Sequence, residues 1–436
     1  MPRSVWSAVV YPALIFTVAL LAMRNGINSS LASIIDRYRP DLTSYEKFYR
    51  NTHQDPELSG VEANTAAVVA SHLEGLGLVV HSNIGGHGVV GLLENGLGRT
   101  VLIRAELDAL PRHEQTNLSY ASTKIMTDRY GNERPVMHAC GHDMNMAALL
   151  GATALLHGAR EHWIGTLVVV FQPDEEEKGG AEAMVEDGLY SMIPVPNIML
   201  AQHVTPLNSG SVAIASGPVL MAADAVDVRV FGEPCPGINP QLCQDPIAIA
   251  MRIVQSIQDL VKKEFGEEEA TVACWGFHAG IPGADFVFYA DFLLDIKTVK
   301  PKVRDEVLVF VKKSIEAQCK EMDCPKDPLF TSKVRAPLTT NAESAVKPIR
   351  EAFSSYFASN LLPMELQRVT EDFSALQGSF KIPYAYWNFG GTSSDEDIAY
   401  NHSPFYAPAL DPTLKSGIDA MALATLASFG SEGHAP

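Results

Sequence analysis

The chain has 436 residues, 47% of them hydrophobic and 19% charged, with a formal net charge of −18 at pH 7. The length exceeds one ordinary core, so two domains are expected, and the composition is that of a packed globular protein rather than a disordered one. The negative charge, with no basic stripe, low-complexity tract or internal repeat, excludes nucleic acid as a partner, because nothing here would neutralise a run of phosphates.

Ser4 to Met23 is uncharged, with Arg3 before it and Arg24 after it. That is enough to cross a hydrocarbon core, and no good small-x-small cleavage site follows. Residues 1–24 are therefore expected to be a retained anchor, with a cleaved signal as the alternative. Either way the chain enters the secretory route, membrane-anchored or secreted, and touches membrane only through this segment. The sequons Asn28-Ser29-Ser30 and Asn117-Leu118-Ser119 fit a lumenal or extracellular side. Six cysteines are too few for a disulfide scaffold. Cys235 with Cys243, and Cys319 with Cys324, could bridge or remain buried thiols.

Residues 24–60 are polar and end in a turn-like stretch from His53 to Ser59. Val61 to Leu76 has apolar residues at helical spacing. Short apolar runs follow at Leu78–Val80, Val89–Leu93 and Val101–Ile103, the last leading into Arg104-Ala105-Glu106-Leu107-Asp108. Met144 to His157 reads as a helix and Leu167–Phe171 as a buried strand. Alternation of this kind predicts an α/β layer with a mainly parallel central sheet flanked by helices.

The pattern changes near residue 217. Ala225–Phe231, Thr271–Phe277 and Val287–Ile296 alternate like strands, while Pro246–Val261 and Lys302–Met322 are helical. That order is that of an inserted α+β, ferredoxin-like lid domain. The expected division is an α/β domain made of residues 40–216 and 331–430, interrupted by the insertion at 217–330. An apolar helix from Gly417 to Phe429 closes it.

Four segments carry the chemistry: His138-Ala139-Cys140-Gly141-His142-Asp143, Gln172-Pro173-Asp174-Glu175-Glu176, Gln202-His203-Val204 and Asn401-His402-Ser403-Pro404. Two divalent cations about 3.5–4 Å apart need this mixture of imidazole, thiolate and carboxylate, with one carboxylate left over as a base. Cys140 and His142, two apart on a turn, can reach one cavity. The thiolate favours zinc, although such mixed sites also take manganese, cobalt or nickel. Of the adjacent Glu175 and Glu176, one could bind metal while its neighbour activates water. Each segment alone has a plainer reading: a buried cysteine, a solvated acidic loop, a structural histidine. Jointly they outweigh these. Glu106 and Asp108, with Asp143, are expected acceptors that orient ligand histidines.

HQDPELS, IGGHGVVGLL, RAELDALP, MHACGHD, FQPDEE, EAMVEDG, QHV and NHSPFYAP together resemble the M20 metallopeptidases over residues 45–430. The resemblance is to the amidohydrolase branch, which includes plant auxin–amino acid conjugate hydrolases, hippurate hydrolases and aminoacylases. It implies that Cys140, His142, Glu176, His203 and His402 are the dinuclear metal ligands and Glu175 the general base. It further implies a lid that serves for homodimerisation and the hydrolysis of an N-acyl amino acid or similar small amide, with two Zn²⁺ or Mn²⁺ ions as cofactors.

Three positions depart from that pattern. Pro236 stands where the family's lid segment carries a histidine that stabilises the oxyanion, and one such donor is typically worth about 2.7–4 kcal/mol. The lid asparagine is replaced around Ala284-Asp285-Phe286-Val287, and a second histidine after the HACGHD turn is Asn145. Read as substrate-facing, these changes point either to a metalloenzyme with an altered reaction, such as acyl transfer or amide formation, or to a non-catalytic member that binds metal or a ligand. The retained Glu175 favours catalysis. A structural membrane protein is the third class; it would hold no metal.

Overall fold

The computed structural model describes residues 31–233, 244–281, 286–393 and 399–430 (side chains of 332–335 excepted). The expected anchor at 1–24, Asn28, Cys235, Pro236, Cys243 and Ala284-Asp285 lie outside these residues. No helix among the described residues is long and apolar enough to cross a membrane.

The stretch before residue 60, expected to be polar, is largely helical: residues 31–38 form α1 and Thr43–Gln54 form α2, while the expected turn follows from Asp55 to Gly60. Its polar average hides one apolar side. Ile34, Ile35, Phe48, Tyr49 and His53 are all buried, and burial of that side holds the helices. Next come α3 (Ala63–Gly75), β1 (Val79–Ile84), β2 (Gly88–Asn95), β3 (Arg99–Glu106) and a small hairpin of β4 (Ile125–Thr127) and β5 (Glu133–Pro135). After them follow α4 (His142–Gly158), β6 (Gly165–Gln172), α5 (Gly180–Glu186), α6 (Leu189–Met192), β7 (Ile198–Asn208), β8 (Val212–Ile214) and β9 (Gly217–Leu220).

A separate unit then intervenes: β10 (Ala222–Phe231), α7 (Pro246–Phe265), β11 (Ala270–Ala279), β12 (Tyr289–Thr298), α8 (Pro301–Glu321) and β13 (Leu329–Ala336). The chain returns through β14 (Thr339–Asn341), α9 (Glu343–Phe357), β15 (Leu361–Pro363), β16 (Tyr384–Thr392) and α10 (Thr413–Phe429).

The larger sheet has eight strands in the order β1-β2-β6-β3-β7-β16-β8-β15, drawn from both sides of the intervening unit. Its central strands β6, β3, β7 and β16 are parallel neighbours. Near-continuous apolar runs produce this, since parallel strands are covered on both faces. On one face lie α4 and α10, packed on Leu200, Val204, Trp387 and Phe389. These two helices approach through glycine: a Cβ on Gly151 would lie 2.4 Å from Ile418, and one on Gly417 would lie 3.0 Å from Ala148. The other face packs α5 and the turn Phe373–Gln377 on Val168, Val170 and Met199.

The smaller sheet has the order β11-β12-β10-β13 and is antiparallel throughout. Strand β13, absent from the sequence reading, completes a β-α-β-β-α-β unit with its own core of Val228, Ile253, Ile257, Phe292, Leu294 and Val311. Cys319 and Cys324 are free thiols, the first buried at the end of α8.

Candidate metal centre

In an open α/β sheet the carboxyl ends of the parallel strands converge on one edge, where ligands bind. Here Glu106 ends β3 in register with Gln172 at the end of β6, and His203 lies midway along β7, two residues past the last pairing with β3 and opposite Asn388 of β16. The loops that leave these ends carry Asp108, Glu175 and Glu176. Cys140 and His142 come from the start of α4, where Gly141 at φ +85° turns the chain into the helix. A Cβ at Gly141 would also lie 2.5 Å from Val204. His402 arrives from 260 residues away in a left-handed conformation (φ +70°), pinned by its backbone N donating to the Ala139 carbonyl at 2.7 Å. Asn401 beside it donates to the carbonyls of Cys140 at 2.8 Å and Val204 at 3.2 Å.

All six expected residues meet. Cys140 Sγ lies 3.5 Å from His203 Nε2 and 3.2 Å from His402 Nε2. Glu176 Oε2 is 3.4 Å from His402 Nε2, and Glu176 Oε1 is 3.9 Å from His142 Nε2. Glu175 Oε2 is 3.8 Å from His142 Nε2. The donor atoms of Cys140, His142 and His203, and those of Cys140, Glu176 and His402, each lie within 4.8 Å of one another.

The histidine tautomers are fixed from behind. His142 Nδ1 donates to the Asp108 carbonyl at 2.8 Å and His203 Nδ1 to the Val204 carbonyl at 2.8 Å, so each turns Nε2 toward the cavity. Asp108 itself accepts from Ser59 Oγ at 2.7 Å and from Glu176 N at 2.9 Å. Burial works against its charge, but His142 and these donors hold its carboxyl below the usual range.

The cavity fits divalent cations. His142 Nε2 and Glu176 Oε1 are buried with no hydrogen-bond partner among the described residues. Burial pushes the Cys140 thiol well up, so its thiolate needs a cation nearby, and it raises the Glu175 carboxyl as well, against the opposing Lys178 ammonium.

Of the expected orienting acids, Asp108 plays that part and Glu106 stands one step further back, accepting from Arg104 and, at 2.9 Å, from Asn145 Nδ2. Asp143 does not orient a ligand histidine: its carboxylate turns to His53 Nδ1 at 2.6 Å. Asn145, expected to face substrate, is 1% exposed and ties Glu106 to strand β7 by accepting from Val204 N at 3.0 Å. It belongs to the scaffold, because α4 buries that turn on every side.

Sequence reasoning missed a polar layer beneath the site. Arg104 donates to Glu371 at 2.8 and 3.2 Å and to Gln172 at 2.9 Å, while Gln172 donates to Asp372 at 2.7 Å. Against burial, Arg104 holds the Glu371 carboxyl down to about 2, whereas burial and the neighbouring Glu371 push that of Asp372 up to about 7. The buried charges of Arg104 and Glu106 at the end of an apolar strand were a signal for this layer. Glu371 and Asp372, in a loop some 200 residues from Gln172, gave none.

The Peptidase family M20/M25/M40 model matches residues 102–427. Hippurate hydrolase of Campylobacter jejuni is 31% identical over 372 residues, covering 83% of this chain and 91% of that protein. Thermostable carboxypeptidase 1 of Saccharolobus solfataricus is 28% identical over 89% of this chain and 98% of its own length. Among solved structures, a dinuclear metal binding peptidase of the M20 family from Bacillus subtilis has the same fold, with a TM-score of 0.71, 24% identity, and 89% of this chain and 98% of that one covered. With a metal cavity at the carboxyl edge of the sheet and a family match spanning most of its length, this chain is a member of Peptidase family M20/M25/M40.

Proposed function

We propose that the protein is a metal-dependent amidohydrolase that cleaves the amide bond of an N-acyl amino acid or related small amide. The observation that carries this reading is the convergence of Cys140, His142, Glu176, His203 and His402 on one cavity, with Glu175 on its wall and buried donor atoms left without partners. These five residues would hold two divalent cations, with Zn²⁺ or Mn²⁺ the best matched to a thiolate, imidazoles and a carboxylate. Bound there, the cations supply Lewis acidity and bring the ionisation of water toward neutral pH.

The remaining chemistry belongs to the chain. Glu175 Oε2 faces His142 across the cavity, placed to take a proton from the attacking water and return it to the leaving nitrogen. Asp108 and the Val204 carbonyl keep His142 and His203 in the tautomers that present Nε2. Tyr400 and Phe405, 70% and 59% exposed beside His402, offer an apolar rim for an acyl group. The support from relatives is of the same kind, since hippurate is an N-acyl amino acid and the Campylobacter jejuni enzyme is named for its hydrolysis.

The test is turnover of N-acyl amino acids by metal-loaded protein against Glu175→Gln. Loss of roughly 10²–10⁴-fold with both cations retained is expected, the usual contribution of a positioned acid–base group. Equal inertness of both proteins with metal bound would favour the non-catalytic reading raised by Pro236.

A further inference from the structure

Residues 173–180, which carry Glu175 and Glu176, fold into a tight loop. Asp174 and Lys178 both sit in left-handed conformations at φ +55° and +60°. Gly179 N and Gly180 N both donate to the Asp174 carbonyl at 3.2 Å. A Cβ on Gly180 would lie 1.7 Å from the Pro173 carbonyl oxygen, so only glycine permits this closure.

The loop sorts its charges. On the outside, Arg129 pairs with Asp174, and Tyr130 Oη donates to Glu177 Oε2 at 2.7 Å. Lys178 turns inward instead. Its ammonium donates to the Glu175 carbonyl at 3.1 Å and also to Glu175 Oε1, and its side chain is only 15% exposed. Two bonds to the main chain and side chain of one residue fix how that side chain points. With Oε1 taken, Oε2 is the oxygen left facing His142 at 3.8 Å.

A solvated lysine is the ordinary expectation for a polar loop, but this one is largely withdrawn from solvent on a backbone conformation that side chains disfavour. A loop built only to hold cations would also avoid an ammonium at this place, because like charges repel. The arrangement makes sense if the lysine acts on Glu175.

We propose that Lys178 is a positioning residue that clamps Oε1 of the base Glu175 so that Oε2 alone handles the proton. The proposal rests on the hydrolytic reading above. It is tested on the full-length protein loaded with Mn²⁺ or Zn²⁺, with N-benzoylglycine and N-acetyl amino acids as substrates, by comparing Lys178→Met and Lys178→Arg with the native chain. Lys178→Met should lower kcat roughly 10- to 100-fold, the scale of a misplaced catalytic group, with KM within about twofold and cation stoichiometry unchanged. Lys178→Arg should restore most of the loss. An unchanged kcat, or a loss that follows KM or metal content instead, overturns it. Crystal structures of the native chain and Lys178→Met separate this idea from its premise. If no amide is turned over, the hydrolytic reading fails, yet a Glu175 carboxylate that swings away in Lys178→Met still supports the clamp, and one that stays in place refutes it.

Discussion

Two buried clusters flank the first turn of α4, and they differ in completeness. His142 opens onto the metal cavity, where its Nε2 and Glu176 Oε1 have no partner among the described residues. The next residue, Asp143, points to the other cluster, where it meets His53 Nδ1 at 2.6 Å while Glu114 meets His53 Nε2 at 3.0 Å. There Glu114 is also bonded by Ser122 N at 2.6 Å and Asp143 by Met144 N at 2.9 Å. One set of buried ionisable groups is closed on itself; the other needs something from outside. Successive helical residues diverge by about 100°, so adjacent positions serve opposite ends. Unpaired donor atoms that converge on one cavity mark the candidate cation site; unpaired burial alone does not, since both ring nitrogens of His138 are also buried without a partner among the described residues.

The comparison can be broken by substitutions on each side. The largest effect should come from the open cluster: His142→Ala should abolish binding of one cation and lower amide turnover at least 100-fold, beyond the 10–100-fold typical of an orienting partner. Its metal-free stability should fall less than in the closed cluster, because the removed ring had one nitrogen unpaired and gives up chiefly its bond to the Asp108 carbonyl. In the closed cluster, His53→Ala strands two buried carboxylates and should cost about 3–5 kcal/mol of stability in the metal-free protein. Urea unfolding of both variants with the chelator present checks this. Similar losses for the two would erase the distinction. Next in size, Asp108→Asn should weaken cation affinity roughly 10-fold, measured by titration calorimetry: it removes the carboxylate charge 3.5 Å from His142 Nδ1 and disturbs the acceptor of Glu176 N, while the bond from His142 to the main-chain carbonyl of residue 108 is kept.

Much of this was legible in the sequence, for physical reasons. Strands such as Leu167–Phe171, covered on both faces, leave continuous apolar runs, and the loops at their ends are where function is written. The six residues of the cavity were therefore found. What escaped was decided by long-range contact. The amphipathic α2 was hidden by charged residues on its outer side, and β13 is a strand because β10 lies open to pair with it. Asn145 read as facing substrate because sequence does not say that α4 is covered all round. Asp143 read as an acceptor for a ligand histidine because sequence does not show that it points the other way, to His53. Lys178 drew no reading at all, because nothing local reveals that its loop closes on Gly179 and Gly180.

The smallest effect separates the clusters by pH. Burial alone would lower the affinity of His53 for its proton, but Asp143 and then Glu114 raise its pKa from 6.5 to about 10. The folded state therefore binds this proton more tightly than the unfolded state does. A group raised in this way stabilises fully below its unfolded value and loses that contribution as pH climbs through the folded one. Metal-free protein should thus lose thermal stability as pH rises between about 6.5 and 10. Other groups titrate in the same window, Glu62 among them with a pKa raised to about 8 by burial and by Asp108, so the informative quantity is a difference. His53→Gln keeps a donor but not the charge. The native chain should descend more steeply with pH than this variant, and the gap should be the same at low and high salt because the pair is buried. Parallel curves would mean that His53 is neutral in the folded protein, and the closed cluster would then lack the charge complementarity that sets it apart from the metal cavity.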